Sequence, residues 1–161
     1  MICITGTPGT GKSTLLEAMK RRGYEAHEFD EVIGECVSGR EGDEKIVDAR
    51  CLSKIRREGL YFGHLSHYAS CDIVIVLRAH LKDIEARLRS RGYDKGKIMD
   101  NLECEAIDLI GHESHALHPG RTFEILNEDF ERTADMMERI MRGEVSSTGI
   151  IDLTEEILAW Y

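Results

Sequence analysis

Residues 1–14 read MICITGTPGTGKST, and this stretch limits the possible folds more than any other part of the chain. A short apolar run is followed by a glycine-rich loop and a helix start. The loop fits the pattern G-x-x-x-x-G-K-[ST], with Gly6 and Gly11 as its anchors. Glycines let backbone N–H groups point inward around an anion, and the positive end of the helix dipole adds to the same spot. The pattern predicts a nucleoside triphosphate site in which Lys12 reaches the terminal phosphates and the Ser13 hydroxyl binds Mg²⁺.

The charge balance limits the kinds of partner. The 161 residues include 30 acidic and 21 basic side chains, which gives a formal net charge of -9. Broad, sequence-independent binding of nucleic acid needs a basic face, so this balance argues against it and favours a basic protein partner. No apolar run approaches the roughly 20 residues that cross a membrane. A chain of this length is typical of one domain with its own core, so we expect residues 1–161 to form a single domain.

The cysteines bear on the cellular compartment. There are five, at Cys3, Cys36, Cys51, Cys71 and Cys104. Their odd number, and the absence of a C-x-x-C pair, argue against a disulfide framework or a zinc site. We therefore expect reduced, buried thiols in a cytoplasmic protein. The first predicted strand begins at Ile2, so we expect no signal peptide.

Predicted strands and helices alternate along the chain. Short apolar runs predict strands buried on both faces of a sheet, and the run richest in β-branched residues is 73–77. Strands are predicted at 2–4, 26–29, 60–62, 73–77 and 123–126, and helices at 13–22, 81–91, 94–118, 130–141 and the C-terminus. This order predicts an α/β fold with a five-stranded parallel sheet and helices on both faces.

The segment between the second and third predicted strands differs from this alternation. Residues 36–44 are polar and contain two glycines, which predicts a flexible loop, and residues 48–58 have helical amphipathic spacing. Together they predict a small, mobile helical insert. Asp30 and Glu31 stand where the second strand ends, at the sheet edge where ligands gather. They are candidates to contact a second substrate or the metal's water shell, and Asp30 is equally a candidate helix cap.

A basic segment follows the fourth predicted strand. Five positive residues and only one acid lie between positions 87 and 97. Arg87 and Arg91 are four residues apart, and therefore on one helical face. The segment is interpreted either as a mobile lid over phosphates or as a solvated helix paired with Asp83 and Glu85.

Missing motifs narrow the reaction class. There is no N-K-x-D sequence to read a guanine base, and the only D-x-x-G sequence, at 108–111, falls inside a predicted helix. What remains is a small phosphotransferase, which needs in-line positioning of two substrates and neutralisation of the transferred charge.

Several segments together resemble the adenylate kinase isoenzyme six family, in its shorter archaeal form. The matching segments are 6–14 (GTPGTGKST), 63–67 (GHLSH), 72–78 (DIVIVLR), 88–93 (LRSRGY), 97–105 (KIMDNLECE) and 151–156 (IDLTEE). The resemblance implies a P-loop nucleoside monophosphate kinase of broad specificity that uses ATP and Mg²⁺, with AMP as the expected acceptor and often with ATPase activity. It also implies transient binding to ribosomal protein uS11 during maturation of small-subunit rRNA.

The resemblance also assigns roles to individual positions. It places the acceptor-binding insert at about 28–51 and the lid at about 90–100, with Arg91 as the lid arginine that touches ATP. His64 matches a histidine that the family links to ATP hydrolysis. Lys12, His64 and Arg91 are thus the expected catalytic residues. The residues expected to hold ATP are Gly9, Gly11, Lys12, Ser13, Thr14 and Arg91, with Ser13 also on the metal.

The chain departs from the family at two positions. Phe62 stands where relatives carry the acid two residues before the histidine, an acid that orients Mg²⁺. Loss of one outer-shell acid should cost about 10–100-fold, so we expect a weakened enzyme, with Asp30 or Glu31 as candidate substitutes.

The second departure concerns the acceptor. Gly34 stands near the place where relatives carry a basic residue for the acceptor phosphate. Arg40 and Arg50 are candidate replacements, and the sequence does not choose between them.

The remaining histidines do not form a predicted metal site. His112, His115 and His118 are three residues apart, but six residues advance a helix by about 600°, so the first and last do not share a face. We expect surface or helix-end roles for these three. His67 and His80 are expected to be structural or solvated.

Two alternatives to a kinase stay open. One is an ATPase assembly factor whose hydrolysis releases it from a ribosomal protein. The other is a nucleotide-binding regulatory module with weak or no kinase activity, which the missing acid at Phe62 favours. In each case we expect a monomer.

Overall fold

A computed structural model describes residues 1–161. Its strands are β1 (Ile2–Thr5), β2 (Ala26–Glu28), β3 (Val37–Glu41), β4 (Glu44–Val47), β5 (Leu60–Phe62), β6 (Ile73–Arg78) and β7 (Thr122–Leu126). Its helices are α1 (Lys12–Arg21), α2 (Ala49–Leu52), α3 (Leu81–Ser90), α4 (Lys95–Ala106), α5 (Leu109–Leu117), α6 (Phe130–Met141) and α7 (Thr154–Ile157). Single 3-10 turns lie at Phe29–Glu31, Gly34–Cys36, Ser66–Tyr68 and Leu158–Trp160.

The central sheet confirms the predicted fold class. Five parallel strands lie in the order β2-β5-β1-β6-β7. Strand β1 is in the middle, so the glycine-rich loop that follows it leaves the centre of the carboxyl edge of the sheet. In folds of this type ligands bind at that edge.

Alternation along the strands builds a core on each face of the sheet. Ile4 and Phe62 pack with α1 and α6, while Cys3 and Tyr61 belong to a second core on the opposite face, against which Ile110 of α5 packs. The split follows from the two-residue period of a strand, which sends neighbouring side chains to opposite faces. Both faces are therefore covered by helices.

The predicted helix over residues 94–118 is wrong as one element. The structure has two helices, α4 and α5, because Asp108 adopts a left-handed conformation with φ 54°. Its carboxylate then accepts the Gly111 N–H at 3.2 Å and caps α5. An αL aspartate that caps a new helix breaks the first one, which helical spacing alone does not reveal.

The insert is a β-hairpin where a loop and a longer helix were predicted. Strands β3 and β4 pair antiparallel around Gly42, whose φ of 59° suits a two-residue hairpin turn. Helix α2 covers only four residues of the predicted 48–58. The exposed hairpin strands have too few apolar residues to show a strand pattern in the sequence.

The expectation of reduced thiols is also wrong for four cysteines. The structure contains the disulfides Cys3–Cys71 and Cys36–Cys51, and only Cys104 is free. Tertiary neighbours make these pairs: the first joins β1 to the segment before β6, and the second joins the start of the hairpin to α2. Cysteine parity and spacing carry no information on such contacts. No helix has the length and apolar character of a membrane span.

Candidate active site

The phosphate-binding loop, residues 6–14, is packed tightly against its surroundings. A Cβ atom added to Gly6 would lie 2.4 Å from the Leu77 carbonyl oxygen, and Gly6 itself has φ 141°. Gly11 has φ 100°, and a Cβ there would lie 2.5 Å from Nδ2 of Asn127. Both positions therefore require glycine, for backbone conformation and for space. This agrees with the prediction that Gly6 and Gly11 anchor the loop.

Asn127 holds the loop from behind. Its Nδ2 donates to the Thr10 carbonyl at 2.8 Å, and its Oδ1 accepts the Thr133 hydroxyl at 2.9 Å. The residue follows β7 directly and is buried. Sequence reasoning missed Asn127. The one indication in the sequence was that a polar residue follows a predicted strand at its carboxyl end.

A second buried contact fixes the loop from the side of α4. The Thr7 hydroxyl donates to Oε2 of Glu105 at 2.6 Å. The other oxygen, Oε1, accepts from Arg78 Nε at 2.9 Å and from the backbone N–H of Ala79 at 3.1 Å. Glu105 thus links the phosphate-binding loop to the end of β6. Sequence reasoning assigned Glu105 and Arg78 no role beyond their place in segments that resemble the family.

Arg78 is the only cation in this buried cluster. Its Nη1 lies 2.9 Å from Asp108 and 2.9 Å from Glu124, and it also donates to the Ile151 carbonyl at 2.7 Å. Three carboxylates therefore share one guanidinium, with His115 at 3.2 Å from Glu124. Burial raises the pKa of Asp108 to about 7, against the pull of Arg78 and with the charge of Glu124 adding to the rise. Protonation of Asp108 lowers the excess negative charge of the cluster.

Lys12 lies folded over the phosphate-binding loop. Its Nζ donates to the carbonyls of Gly6 at 2.6 Å and Thr7 at 2.9 Å. Burial is the main cause that lowers the pKa of Lys12 to about 8, while the charge of Glu105 opposes the shift and that of Arg91 adds to it. Burial disfavours the charged form of Lys12, and a bound anion would stabilise that form.

The loop opens into a cavity of about 260 Å³ at the carboxyl edge of the sheet. Its lining consists of Pro8, Gly9, Gly11, Lys12, Ser13, Glu28, Asp30, Phe62, Gly63, His64, Arg91 and Tyr93. The cavity thus brings together eight loop, lid and strand-end positions that sequence reasoning had discussed separately. Thr14 is the one predicted ATP-binding residue outside this lining; it lies exposed on α1.

The basic segment sends two arginines to the loop. Arg87 donates from Nη1 to the Gly9 carbonyl at 2.7 Å, and Arg91, one turn further along, lines the cavity. Their shared face is the one expected from the four-residue spacing. Arg89 points elsewhere and pairs with Glu85. The lid interpretation therefore fits Arg87 and Arg91, and the solvated-helix interpretation fits Arg89.

His64 lines the same cavity directly after β5. Its ring is open to solvent, yet the surrounding protein and the nearby charge of Lys12 lower its pKa. The Thr5 hydroxyl donates to the His64 carbonyl at 3.1 Å and holds the backbone there. His64 is therefore neutral at pH 7 and available as a proton acceptor.

His67, three residues on, has a structural position. It is buried between Thr5, 3.0 Å from its Nδ1, and Glu113, 3.0 Å from its Nε2. His118 at the end of α5 contacts the His67 carbonyl at 2.7 Å, and His112 is exposed. His80 lies 2.7 Å from both Glu128 and Glu156.

Two carboxylates lie near Phe62, the position at which relatives carry an acid. Phe62 is buried in the core, and its direct neighbour across the β2–β5 pairing is Glu28. Glu28 and Asp30 both line the cavity beside Lys12 and Ser13. Burial, together with the charges of Asp30 and Glu31, raises the pKa of Glu28. Sequence reasoning considered Asp30 and Glu31 and missed Glu28, because the register between β2 and β5 is not visible in the sequence.

The hairpin and the predicted lid meet above the cavity. Lys97 of α4 pairs with Glu44 at the hairpin tip at 2.6 Å, and Lys45 pairs with Asp30 at 3.1 Å. The Lys97 ammonium also lies 5.1 Å from the centre of the Tyr93 ring. Such surface ion pairs contribute little stability. The first joins the hairpin to α4, and the second joins the hairpin to the turn after β2.

Comparison with known proteins defines the class of this protein. The sequence profile of a family described as "AAA domain" matches residues 2–108. A solved structure of an uncharacterized protein from Eubacterium ventriosum shares the fold, with a TM-score of 0.50 at 10% identity over 88% of this chain and 97% of that chain. The chain belongs to the AAA-domain family of P-loop proteins.

Closer relatives refine this assignment. A protein of Methanothermobacter thermautotrophicus named "Putative adenylate kinase" is 39% identical, and the match covers 98% of this chain and 99% of that protein. Proteins of the same name from Archaeoglobus fulgidus and Thermococcus onnurineus are each 35% identical, over 89% and 97% of this chain and 83% and 92% of their own lengths. The chain belongs to this adenylate-kinase-like family, as the resemblance predicts.

Proposed function

We propose that this protein is an ATP-dependent nucleoside monophosphate kinase of broad specificity that converts ATP and AMP to two ADP. The observation that carries the proposal is the single cavity that Lys12, Arg91 and His64 line together. Its loop side suits the phosphates of a donor nucleotide, and its His64 side leaves room for an acceptor. We further assign residues 1–161 to one kinase domain, residues 28–51 to the acceptor insert and residues 90–100 to the lid.

The proposed mechanism is mainly electrostatic. Backbone N–H groups of the loop and the Lys12 ammonium bind the β- and γ-phosphates of ATP, with Gly9 and Gly11 allowing the close approach. Arg91 approaches from the lid and neutralises the charge that spreads over the transferred phosphoryl group. The closed lid and hairpin exclude water, which favours transfer to an acceptor over hydrolysis.

The residues around Ser13 fit a magnesium ion. Mg²⁺ prefers hard oxygen ligands and keeps several waters, and the cavity offers the Ser13 hydroxyl together with the carboxylates of Glu28 and Asp30. When bound, Mg²⁺ supplies charge neutralisation between the phosphates. Glu28 is paired with Phe62 on the neighbouring strand, about 4.8 Å away, and its carboxylate would hold the ion through a water.

A panel of acceptors tests the proposal. The protein is incubated with ATP, Mg²⁺ and each nucleoside monophosphate in turn, and the products are separated by chromatography. We expect ADP from AMP and diphosphates from other acceptors. If no diphosphate forms from any acceptor, the protein is not a monophosphate kinase.

One observation favours a second activity, ATP hydrolysis. His64 is neutral at pH 7 and faces the cavity, so it is placed to accept a proton from a water molecule. His64→Ala should then leave ATP binding intact and reduce phosphate release in the absence of an acceptor. Unchanged hydrolysis in this variant would argue against the role. A regulatory nucleotide-binding module predicts ATP binding with neither transfer nor hydrolysis.

The biological setting belongs to the same proposal. The resemblance supports a role in small-subunit rRNA maturation through ribosomal protein uS11, and the net charge of -9 suits a basic partner.

We place the protein in the cytoplasm, where its nucleotide substrates are, and we propose that it is a monomer. Two disulfides are unusual in that compartment, except in hyperthermophiles. Co-purification with uS11, with and without ATP, tests the partner.

A further inference from the structure

A second cavity, of about 280 Å³, lies at the amino edge of the sheet, opposite the edge that carries the candidate active site. Two of its lining residues, Cys71 and Arg121, come just before the neighbouring strands β6 and β7. Its nine lining residues include two arginines and no carboxylate, although the chain has 30 acidic side chains. No residue lines both cavities. The second cavity is therefore separate from the nucleotide site, and its formal charge is positive.

The two guanidinium groups of this cavity are held by one short segment. Arg56 Nη1 donates to the Ser70 carbonyl at 3.3 Å, and Arg121 Nη1 donates to the Cys71 carbonyl at 3.3 Å. The segment is fixed in turn, because the Ser70 N–H donates to the Ile55 carbonyl at 2.9 Å and Cys71 forms a disulfide with β1. Since both arginines also line one cavity, a small anion there can contact both of them.

Only one of the two arginines has a carboxylate partner. Arg56 Nη2 contacts the two carboxylate oxygens of Asp72 at 2.8 and 3.0 Å. The same carboxylate also accepts from the buried Met1 ammonium at 2.7 Å, so it serves two cations. Arg121 makes its side-chain hydrogen bond to the Cys71 carbonyl and has no ion-pair partner. The fold therefore leaves the charge of Arg121 without a compensating carboxylate.

His118 brings a nitrogen without a partner to the same lining. Its Nε2 lies 2.7 Å from the His67 carbonyl, which can only accept, so Nε2 carries a proton. In the neutral ring, Nδ1 is then an acceptor, and it is buried with no hydrogen-bond partner in the protein. Such groups are rare, because an unpaired buried acceptor keeps its full desolvation cost. A ligand that carries a hydroxyl group would supply the missing donor.

We propose that this cavity binds the hydrogen phosphate dianion. Its oxygens accept from the guanidinium groups of Arg56 and Arg121, whose planar donor sets suit phosphate. Its hydroxyl donates to Nδ1 of His118. Sulfate and the dianion of a phosphate ester carry the same charge but have no hydroxyl, so the site selects free phosphate over both. The proposal does not rest on the kinase function, because the two cavities share no residue.

Calorimetry with inorganic phosphate tests the proposal on the full-length protein, at about pH 8, where an ordinary histidine ring is neutral. A non-hydrolysable ATP analogue and Mg²⁺ are present in excess, so that the phosphate-binding loop is occupied. Loss of a hydrogen bond to a charged group should weaken phosphate binding about 10-fold in Arg56→Met and in Arg121→Met. Arg57→Met is the matched control, because Arg57 is exposed and lies outside the cavity, and it should bind phosphate like wild type.

Nitrogen NMR of the histidine rings tests the contact with His118. Saturating phosphate should shift the Nδ1 resonance of His118 in wild type. Sulfate and methyl phosphate, measured by calorimetry, should bind several-fold more weakly than phosphate. Equal affinity for these dianions, or a His118 resonance that phosphate does not move, would overturn the assignment of hydrogen phosphate.

Two further results would overturn the site itself. The first is that wild type binds no phosphate once the ATP analogue occupies the loop. The second is that Arg121→Met binds phosphate as tightly as wild type, since the ligand then lies elsewhere. Arg56→Met also loses the ion pair with Asp72. Arg121→Met loses no ion pair, so it decides the outcome even if Arg56→Met does not fold.

Discussion

The proposed donor side and the proposed acceptor side of the cavity are built in different ways. On the donor side, buried contacts to Asn127 and Glu105 hold the phosphate-binding loop, and glycine is required at Gly6 and Gly11. On the acceptor side, an exposed hairpin is joined to the rest by surface ion pairs and one disulfide. The donor side therefore rests on buried contacts, whereas the acceptor side depends on weak contacts at the surface. Changes on the donor side should affect every reaction, and changes on the acceptor side should affect only transfer.

The largest effect is expected at Arg91, the proposed lid arginine, which lines the cavity. Arg91→Ala removes the charge that stabilises the transferred phosphoryl group, and we expect kcat for transfer to fall by about 10³-fold or more. Arg89→Ala is the control, because Arg89 lies on the same helix and pairs with Glu85. Steady-state kinetics of both variants give the comparison. Equal rates in the two variants would remove Arg91 from the mechanism.

The next effect concerns the support beneath the loop. Arg78→Met leaves Glu105, Asp108 and Glu124 buried without their cation, which should lower the free energy of unfolding by about 3–5 kcal/mol. Denaturant unfolding measures this loss, with exposed Arg121→Met as the control. A loss below 1 kcal/mol would mean that the buried charges do not fix the donor side.

Removal of the Cys36–Cys51 disulfide should have a smaller effect, confined to the proposed acceptor side. Replacing both Cys36 and Cys51 by Ser removes the constraint on a loop with a sequence separation of 15, worth about 3 kcal/mol in stability. We expect KM for AMP to rise while the affinity for ATP stays the same. Equal changes for both nucleotides would contradict the separation of the two halves.

The smallest effect, taken over one pH unit, is a pH dependence of stability on the donor side. The folded-state pKa of Asp108, about 7, is above its unfolded value of 3.8, so the folded protein holds a proton that the unfolded chain releases. Stability from this group is complete below pH 4 and is lost as the pH rises toward 7, by about 1.4 kcal/mol per pH unit. Asp108→Asn keeps the cap and tolerates the left-handed backbone, and should flatten this slope. Unfolding at several pH values compares the two proteins, and parallel curves would contradict the assignment.

The two halves also differ in how far the sequence predicts them. The loop was predictable because its chemistry lies in consecutive residues, from Gly6 to Ser13, and the sheet because apolar runs mark buried strands. Asn127 and Glu105 contact the loop from more than 90 positions away, and nothing in their local sequence indicates it. Glu28 is similar, since its place beside Phe62 depends on strand register.

The hairpin and the disulfides show a second limit. Exposed strands lack the apolar alternation from which strands are predicted, so residues 37–47 resemble a polar loop. The Cys36–Cys51 pair then depends on how that hairpin folds. Asp108 is a third case, because a single left-handed residue divides a segment whose amphipathic spacing is continuous.

The most direct measurement follows a label from the γ-phosphate of ATP in the presence of AMP and Mg²⁺. If the cavity joins a donor and an acceptor site, the label appears in ADP, at a rate that saturates with AMP. Label found only in inorganic phosphate, at a rate that AMP does not change, would contradict this account and leave the protein an ATPase.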